Sequence, residues 1–237
     1  MIVSHKYRFI FIKTHKTAGS SMEMALGPLC GADDIITPME SNATSGIPKN
    51  FHSRNLIGRS YAKSKLLRKC INRHSPILGS WFYEHMPASR VRHLVGDDVW
   101  NSYYKFCFER NSWDKVVSYY NWKKHGQRKK LPDFTTYVMQ KTHRLPLDSR
   151  LYFEDESCIV DEVLDYNEFT GSFINICKRL NIPFTGTMPR EKTNVNGNIT
   201  DFHNYYNVLT KNKIATEYRR EINLMGYVFD SSGSAKP

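Results

Sequence analysis

Residues 8–21 read RFIFIKTHKTAGSS, a short apolar run that stops abruptly at lysine, threonine, glycine and two serines. Arg8–Ile12 is aromatic and β-branched, the composition of a buried strand. Ser20–Leu26, SSMEMAL, then offers a serine cap, a glutamate for the first turn and apolar helix formers. In α/β folds a loop between a strand's carboxyl end and a helix's amino end is where ligands sit. Small residues let backbone N–H groups approach an anion, the helix dipole favours negative charge, and Lys16 adds a full positive one. THKTAGSS therefore reads as a phosphate cradle, although taken alone it is equally a Gly/Ser turn with a solvated lysine. A Walker A loop carries its lysine after the glycines, followed by Ser or Thr for magnesium. Here Lys16 precedes Gly19, which disfavours a motor driven by ATP or GTP.

The same alternation recurs downstream. YKFCFE (104–109) has the aromatic content of a second strand, and NSWDKVVSYYNWKK (111–124) continues as a helix. IVDEVLDY (159–166) offers a third strand and FTGSFINICKRLNI a further helix, with an amphipathic helical region closing the chain. MPASRVRHLVG (86–96) reads as a short helix opened near Pro87 and closed by Gly96. Alternating strands and helices predict an α/β fold with a mostly parallel sheet covered on both faces. The length of 237 residues suits one core, so residues 1–230 are expected to form a single domain, with a disordered tail at 231–237, SSGSAKP.

Charge is the unusual quantity. Thirty-four Lys and Arg against 23 Asp and Glu give a formal net charge of +11, which favours anionic partners. No acidic residue occurs from Ser41 to Tyr83, and residues 49–73 gather lysines and arginines into a basic flap; KKHGQRKK (123–130) is a second basic run. The second run is equally a solvated face that aids solubility. Cys30, Cys70, Cys107, Cys158 and Cys177 are scattered and form no C-x-x-C pair, so neither a disulfide framework nor a zinc site is predicted. No stretch approaches the ~18 apolar residues of a membrane span, and no signal pattern opens the chain, so a cytoplasmic protein without a membrane span is expected.

The second strand–helix unit bears directly on the cradle. CFERNSWDKVVSYYNW places Arg110 at the strand terminus and Ser118 eight residues on, in the first turns of the helix. Arginine offers a planar fork matched to phosphate oxygens, and serine a compact donor. Taken separately, the two are more often an ion pair and a helix-surface hydroxyl.

Together these segments resemble the sulfotransferases that use 3′-phosphoadenosine 5′-phosphosulfate, especially the carbohydrate 2-O-sulfotransferase-like group and its bacterial relatives. KTAGSS (16–21) looks like that family's 5′-phosphosulfate loop, and RNSWDKVVSYY (110–120) like its 3′-phosphate segment, usually R-N-P-x-x-R-x-x-S-x-Y. Ser112 replaces the usual proline, Lys115 the usual arginine, and His15 stands where many members have proline. Fainter similarity covers YEHMPASRVRHLVG, IVDEVLDYNEF and INLMGYVF.

The resemblance implies a P-loop-like three-layer fold and transfer of a sulfuryl group to an acceptor hydroxyl. Lys16 would stabilise the leaving oxygen. Thr17, Ala18, Gly19, Ser20 and Ser21 would hold the 5′-phosphate, Arg110 and Ser118 the 3′-phosphate, and Lys192, Thr193 and Asn194 a late loop over the nucleotide. His85, in WFYEHMPAS, is the implied general base with Glu84 in reserve, while His93 falls on a helix face. No metal is required, and no H-E-x-x-H or Cys/His cluster is present. The basic segments then suit an acidic glycan acceptor. The rival reading is a non-enzymatic basic nucleic-acid-binding module with Tyr and Phe as stacking platforms, which leaves the ordered phosphate motifs unexplained. A nucleotide kinase with a degenerate loop ranks last.

Overall fold

The strand expected at Arg8–Ile12 forms, as Phe9–Phe11, the middle of a five-stranded sheet in the computed structural model, which describes residues 1–37, 56–71, 77, 82–126, 131–184 and 201–230. In chain order the sheet strands are β1 (Ile2–Ser4), β2 (Phe9–Phe11), β3 (Ile35–Ile36), β4 (Tyr104–Glu109) and, after a small hairpin of β5 (Phe153–Glu154) and β6 (Ser157–Cys158), β7 (Glu162–Asp165). They lie in the order β3-β1-β2-β4-β7.

The sheet is mixed rather than mostly parallel. β2 pairs with β4, and β4 with β7, in parallel; β1 pairs with β2, and with β3, antiparallel. The reason is local. Only residues 5–8 separate β1 from β2, too few for the crossover a parallel pair needs, so the two form a hairpin. Asp34 fixes that turn: its carboxylate accepts from the amides of His5 (2.7 Å) and Lys6 (3.1 Å) and from the Ser4 hydroxyl (2.8 Å).

Helices lie on both faces. The α-helices are α1 (Gly19–Leu26), α2 (Leu56–Lys63), α3 (Lys65–Cys70), α4 (Ala88–Val95), α5 (Asp97–Ser102), α6 (Ser112–Gly126), α7 (Phe134–Gln140), α8 (Ser149–Tyr152), α9 (Phe169–Arg179), α10 (Val208–Glu217) and α11 (Arg219–Met225). Successive strand residues face opposite sides. Phe9, Phe11, Phe106 and Phe108 pack against Met22 and Leu26 of α1 and Phe173 and Ile176 of α9. Ile10, Ile12 and Cys107 pack on the other face against Val91 of α4, Trp100 of α5 and Tyr152 of α8. Each such burial contributes about 1.5–3 kcal/mol. A third cluster joins Val117 and Tyr120 of α6 to Val138 of α7 and Ile214 of α10.

Two details depart from expectation. α1 begins one residue early, at Gly19, so Glu23 lies beyond its first turn, which holds no acid. The closing helical region is two helices that meet at Tyr218. The tail 231–237, the late loop with Lys192, Thr193 and Asn194, the two ends of the basic segment 49–73 (49–55 and 72–73) and residues 127–130 lie outside the described residues; the middle of that segment forms α2 and α3. Among the described residues no helix is long and apolar enough to cross a membrane.

Candidate functional site

The parallel register of β2, β4 and β7 brings their carboxyl ends to one edge of the sheet. The loop 12–18 leaves β2 there and is tied to β4: the Ile12 amide donates to the Phe106 carbonyl at 2.9 Å, and the Thr14 hydroxyl donates to the Phe108 carbonyl. Lys16 (φ 63°) and Ala18 (φ 56°) are both left-handed, a strained arrangement for residues other than glycine, and they curl the chain into α1. Ala18 caps α1 without a side-chain hydrogen bond. Such helix amino termini carry a partial positive charge suited to an anion.

Lys13, which belongs to no motif in the sequence, braces this loop from within. Its ammonium donates to Glu23 at 2.8 Å and to Glu84. Burial opposes its charge, but the two carboxylates outweigh that and hold its pKa above the ordinary lysine value. The lysine stem lies so close to α1 that a Cβ on Gly19 would come 2.6 Å from Lys13 Cγ, which is why glycine stands there.

Arg110 follows the last residue of β4. Asp114 accepts from its Nε (2.6 Å) and one terminal nitrogen (2.9 Å), turning the other toward the first loop. That nitrogen donates to the Lys16 carbonyl and to the Ser118 hydroxyl, each at 3.2 Å. The guanidinium lies 4.8 Å from the ring of Tyr166, which follows β7. All three parallel strands thus deliver a residue to this spot. The Lys16 ammonium lies 5.6 Å from the Trp122 ring of α6. Of the cradle residues, Thr17, Gly19 and Ser21 are buried; the Thr17 hydroxyl pairs with that of Thr14 at 2.7 Å, which leaves its backbone for any ligand role.

Two histidines sit beside the loop. His85, left-handed at φ 57°, donates from Nδ1 to the Lys13 carbonyl at 2.8 Å, which fixes the neutral ring with Nε2 unprotonated. Burial, then the charge of neighbouring His15, push its pKa down to about 3. The rings of His15 and His85 stack with centroids 3.7 Å apart and planes 9° from parallel. His15 is clamped by Asp148, whose carboxylate accepts from its backbone amide at 2.8 Å and from its Nδ1 at 2.6 Å.

Behind Asp148 lies a buried charge cluster. Lys115 is wholly enclosed and donates to Asp148 at 2.8 Å and to Glu109. Glu109 also accepts from the Tyr152 hydroxyl at 2.9 Å, and the nearby buried Glu221 accepts from the Ser149 amide at 2.9 Å. Burial works against the Asp148 charge, yet Lys115 and His15 outweigh it and hold the carboxyl well below the usual range. Burial raises Glu109 to about 7, against the pull of Lys115. No sequence motif marks Asp148 or Glu221; they become visible only when the fold closes on Lys115.

No family model matches the chain, and no solved structure matches it. Among curated proteins it is similar to an uncharacterized protein of Archaeoglobus fulgidus, 30% identical over 101 residues, which are 41% of this chain and 84% of the archaeal protein. The chain belongs to the family of that archaeal protein. Membership assigns no chemistry, because the archaeal relative's description names none. The geometry carries the argument: Lys16, Arg110, Ser118 and His85 converge on one edge, while among the described residues no group of three His, Cys, Asp or Glu side chains is arranged to hold a metal ion.

Proposed function

We propose that this protein is a sulfotransferase that moves the sulfuryl group of 3′-phosphoadenosine 5′-phosphosulfate to an acceptor hydroxyl, on a P-loop-like fold. One observation supports the reading above the others: a single guanidinium nitrogen of Arg110 faces both the first loop, at Lys16, and Ser118. Two segments that resemble the family's two phosphate motifs, far apart in the chain, are therefore neighbours in space. A phosphate there would meet the terminal guanidinium nitrogen that Asp114 does not engage and the Ser118 hydroxyl, a charged donor and a neutral one.

In this reading the 5′-phosphosulfate lies over the curl from Lys16 to Ser21, at the amino end of α1. The acceptor oxygen forms a bond to sulfur as the bond from sulfur to the 5′-phosphate oxygen breaks, and the electron pair leaves with that oxygen. The Lys16 ammonium meets the developing charge; one such donor typically supplies ~2.7–4 kcal/mol of barrier lowering. The acceptor proton passes to the stacked imidazoles of His15 and His85, of which the family resemblance favours His85. The net charge of +11 suits an acidic glycan as acceptor. Incubating the protein with sulfur-labelled donor and a panel of polysaccharides, small glycans, lipids and phenols tests this: labelled glycan is expected, and no labelled product from any class would defeat the proposal.

A further inference from the structure

The two stacked histidines are not equivalent, and the chain departs from the family pattern at the one the resemblance does not use. His85, its side chain 24% exposed, is anchored through Nδ1 to an uncharged carbonyl, that of Lys13, and its Nε2 lies 3.8 Å from the Glu84 carboxylate, which is already engaged by the Lys13 ammonium. A proton added at its Nε2 gains no carboxylate hydrogen bond at Nδ1. His15 is anchored through Nδ1 to the carboxylate of fully buried Asp148 at 2.6 Å, and its side chain is 31% exposed. With Asp148 ionised, that contact requires the proton on Nδ1 and leaves Nε2 as the basic nitrogen. An imidazole held this way by a buried carboxylate is oriented, and its cation is stabilised as it forms.

Behind Asp148, the fully buried Glu109 and Glu221 stand with it around the buried ammonium of Lys115, which holds the Asp148 carboxylate in place against His15. The other titratable groups facing His15 are His85, stacked upon it, and Tyr119, whose ring lies edge-on at 6.4 Å.

We infer that His15, oriented by Asp148, is the catalytic base that accepts the proton of the acceptor hydroxyl, and that His85 is a neutral positioning residue stacked beneath it. The inference rests on the sulfotransferase reading. In the step, the acceptor O–H bond breaks with its electron pair staying on oxygen, the new O–S bond forms, and the proton moves to Nε2 of His15, from which it later returns to water.

Asparagine at either position retains a donor where Nδ1 stands and removes Nε2, so His15→Asn and His85→Asn are a matched pair. The expected result is that both variants bind 3′-phosphoadenosine 5′-phosphate like the wild type. His15→Asn should lose ~10²–10⁴-fold in turnover and the acid limb of its pH profile, whereas His85→Asn should lose less than about tenfold and keep that limb. A larger loss in His85→Asn than in His15→Asn, or an unchanged acid limb in His15→Asn, would overturn the inference while leaving the sulfotransferase reading intact. A wild type that binds the nucleotide and transfers nothing, or binds none, defeats that reading instead. Proton NMR adds a readout apart from activity: a low-field N–H resonance from a carboxylate-bound His15 Nδ1 is expected, lost in His15→Asn, and its absence from the wild type would also overturn the dyad.

Discussion

Arg110 donates a hydrogen bond across 3.2 Å to the backbone carbonyl of Lys16, 94 positions earlier in the chain. The contact exists because β2 and β4 are parallel neighbours that end together, so the loops that follow them share one edge. Ligand chemistry at strand carboxyl ends is general to such sheets; what is particular here is a guanidinium oriented by Asp114 toward a loop with two left-handed residues.

Lys115 is the keystone of the buried cluster. Lys115→Met keeps an apolar stem of similar length and leaves Glu109 and Asp148 enclosed without their ammonium. A loss of about 3–5 kcal/mol is expected, the usual consequence of stranding buried charge, read as a lowered midpoint in urea unfolding. A change under about 1 kcal/mol would mean that the cluster relaxes or takes up protons without cost.

His85 sets a pH dependence of stability. Its folded pKa is depressed to about 3 from 6.5, so the unfolded chain takes up a proton below about pH 6.5 that the folded chain refuses until about pH 3. Stability is therefore lost progressively as pH falls through that window. Unfolding free energies of wild type and His85→Asn, measured between pH 4 and pH 8, should diverge on the acid side, with the variant declining less. Parallel curves would show that His85 is protonated equally in both states.

Ser112 opens α6, and its buried hydroxyl has no hydrogen-bond partner among the described residues. Proline is well suited to the first helical position, where its lost N–H is unpaired in any case, and it restricts the unfolded chain. Ser112→Pro is expected to raise stability by ~0.4–1 kcal/mol, measured by thermal unfolding; a destabilised variant would indicate that Asn111 cannot accept a following proline.

Local pattern made part of this legible. The aromatic run YKFCFE is β4 residue for residue, and the strand–loop–helix at 8–26 is β2 and α1. The antiparallel strands β1 and β3 escaped notice because they span only three and two residues, and the resulting mixed sheet follows from a tight turn fixed by distant Asp34. Arg110 and Ser118 were readable because they sit on one short segment with helical spacing. Lys13, Asp148 and Glu221 were not, since each acquires its role from partners tens of residues away in the chain, save for the nearby Glu23. His15 was noticed only as a departure from pattern; its clamp on Asp148 spans 133 positions and has no local signature.

The most direct test of the central claim is a calorimetric titration with 3′-phosphoadenosine 5′-phosphate, run on wild type and on Arg110→Ala, with 5′-AMP as the ligand that lacks the 3′-phosphate. The account predicts saturable wild-type binding, weakened roughly 10–100-fold by Arg110→Ala, as expected for loss of a charged hydrogen bond of about 1.5–3 kcal/mol, with 5′-AMP indifferent to that substitution. Absence of wild-type binding, or equal affinity in Arg110→Ala, would contradict it.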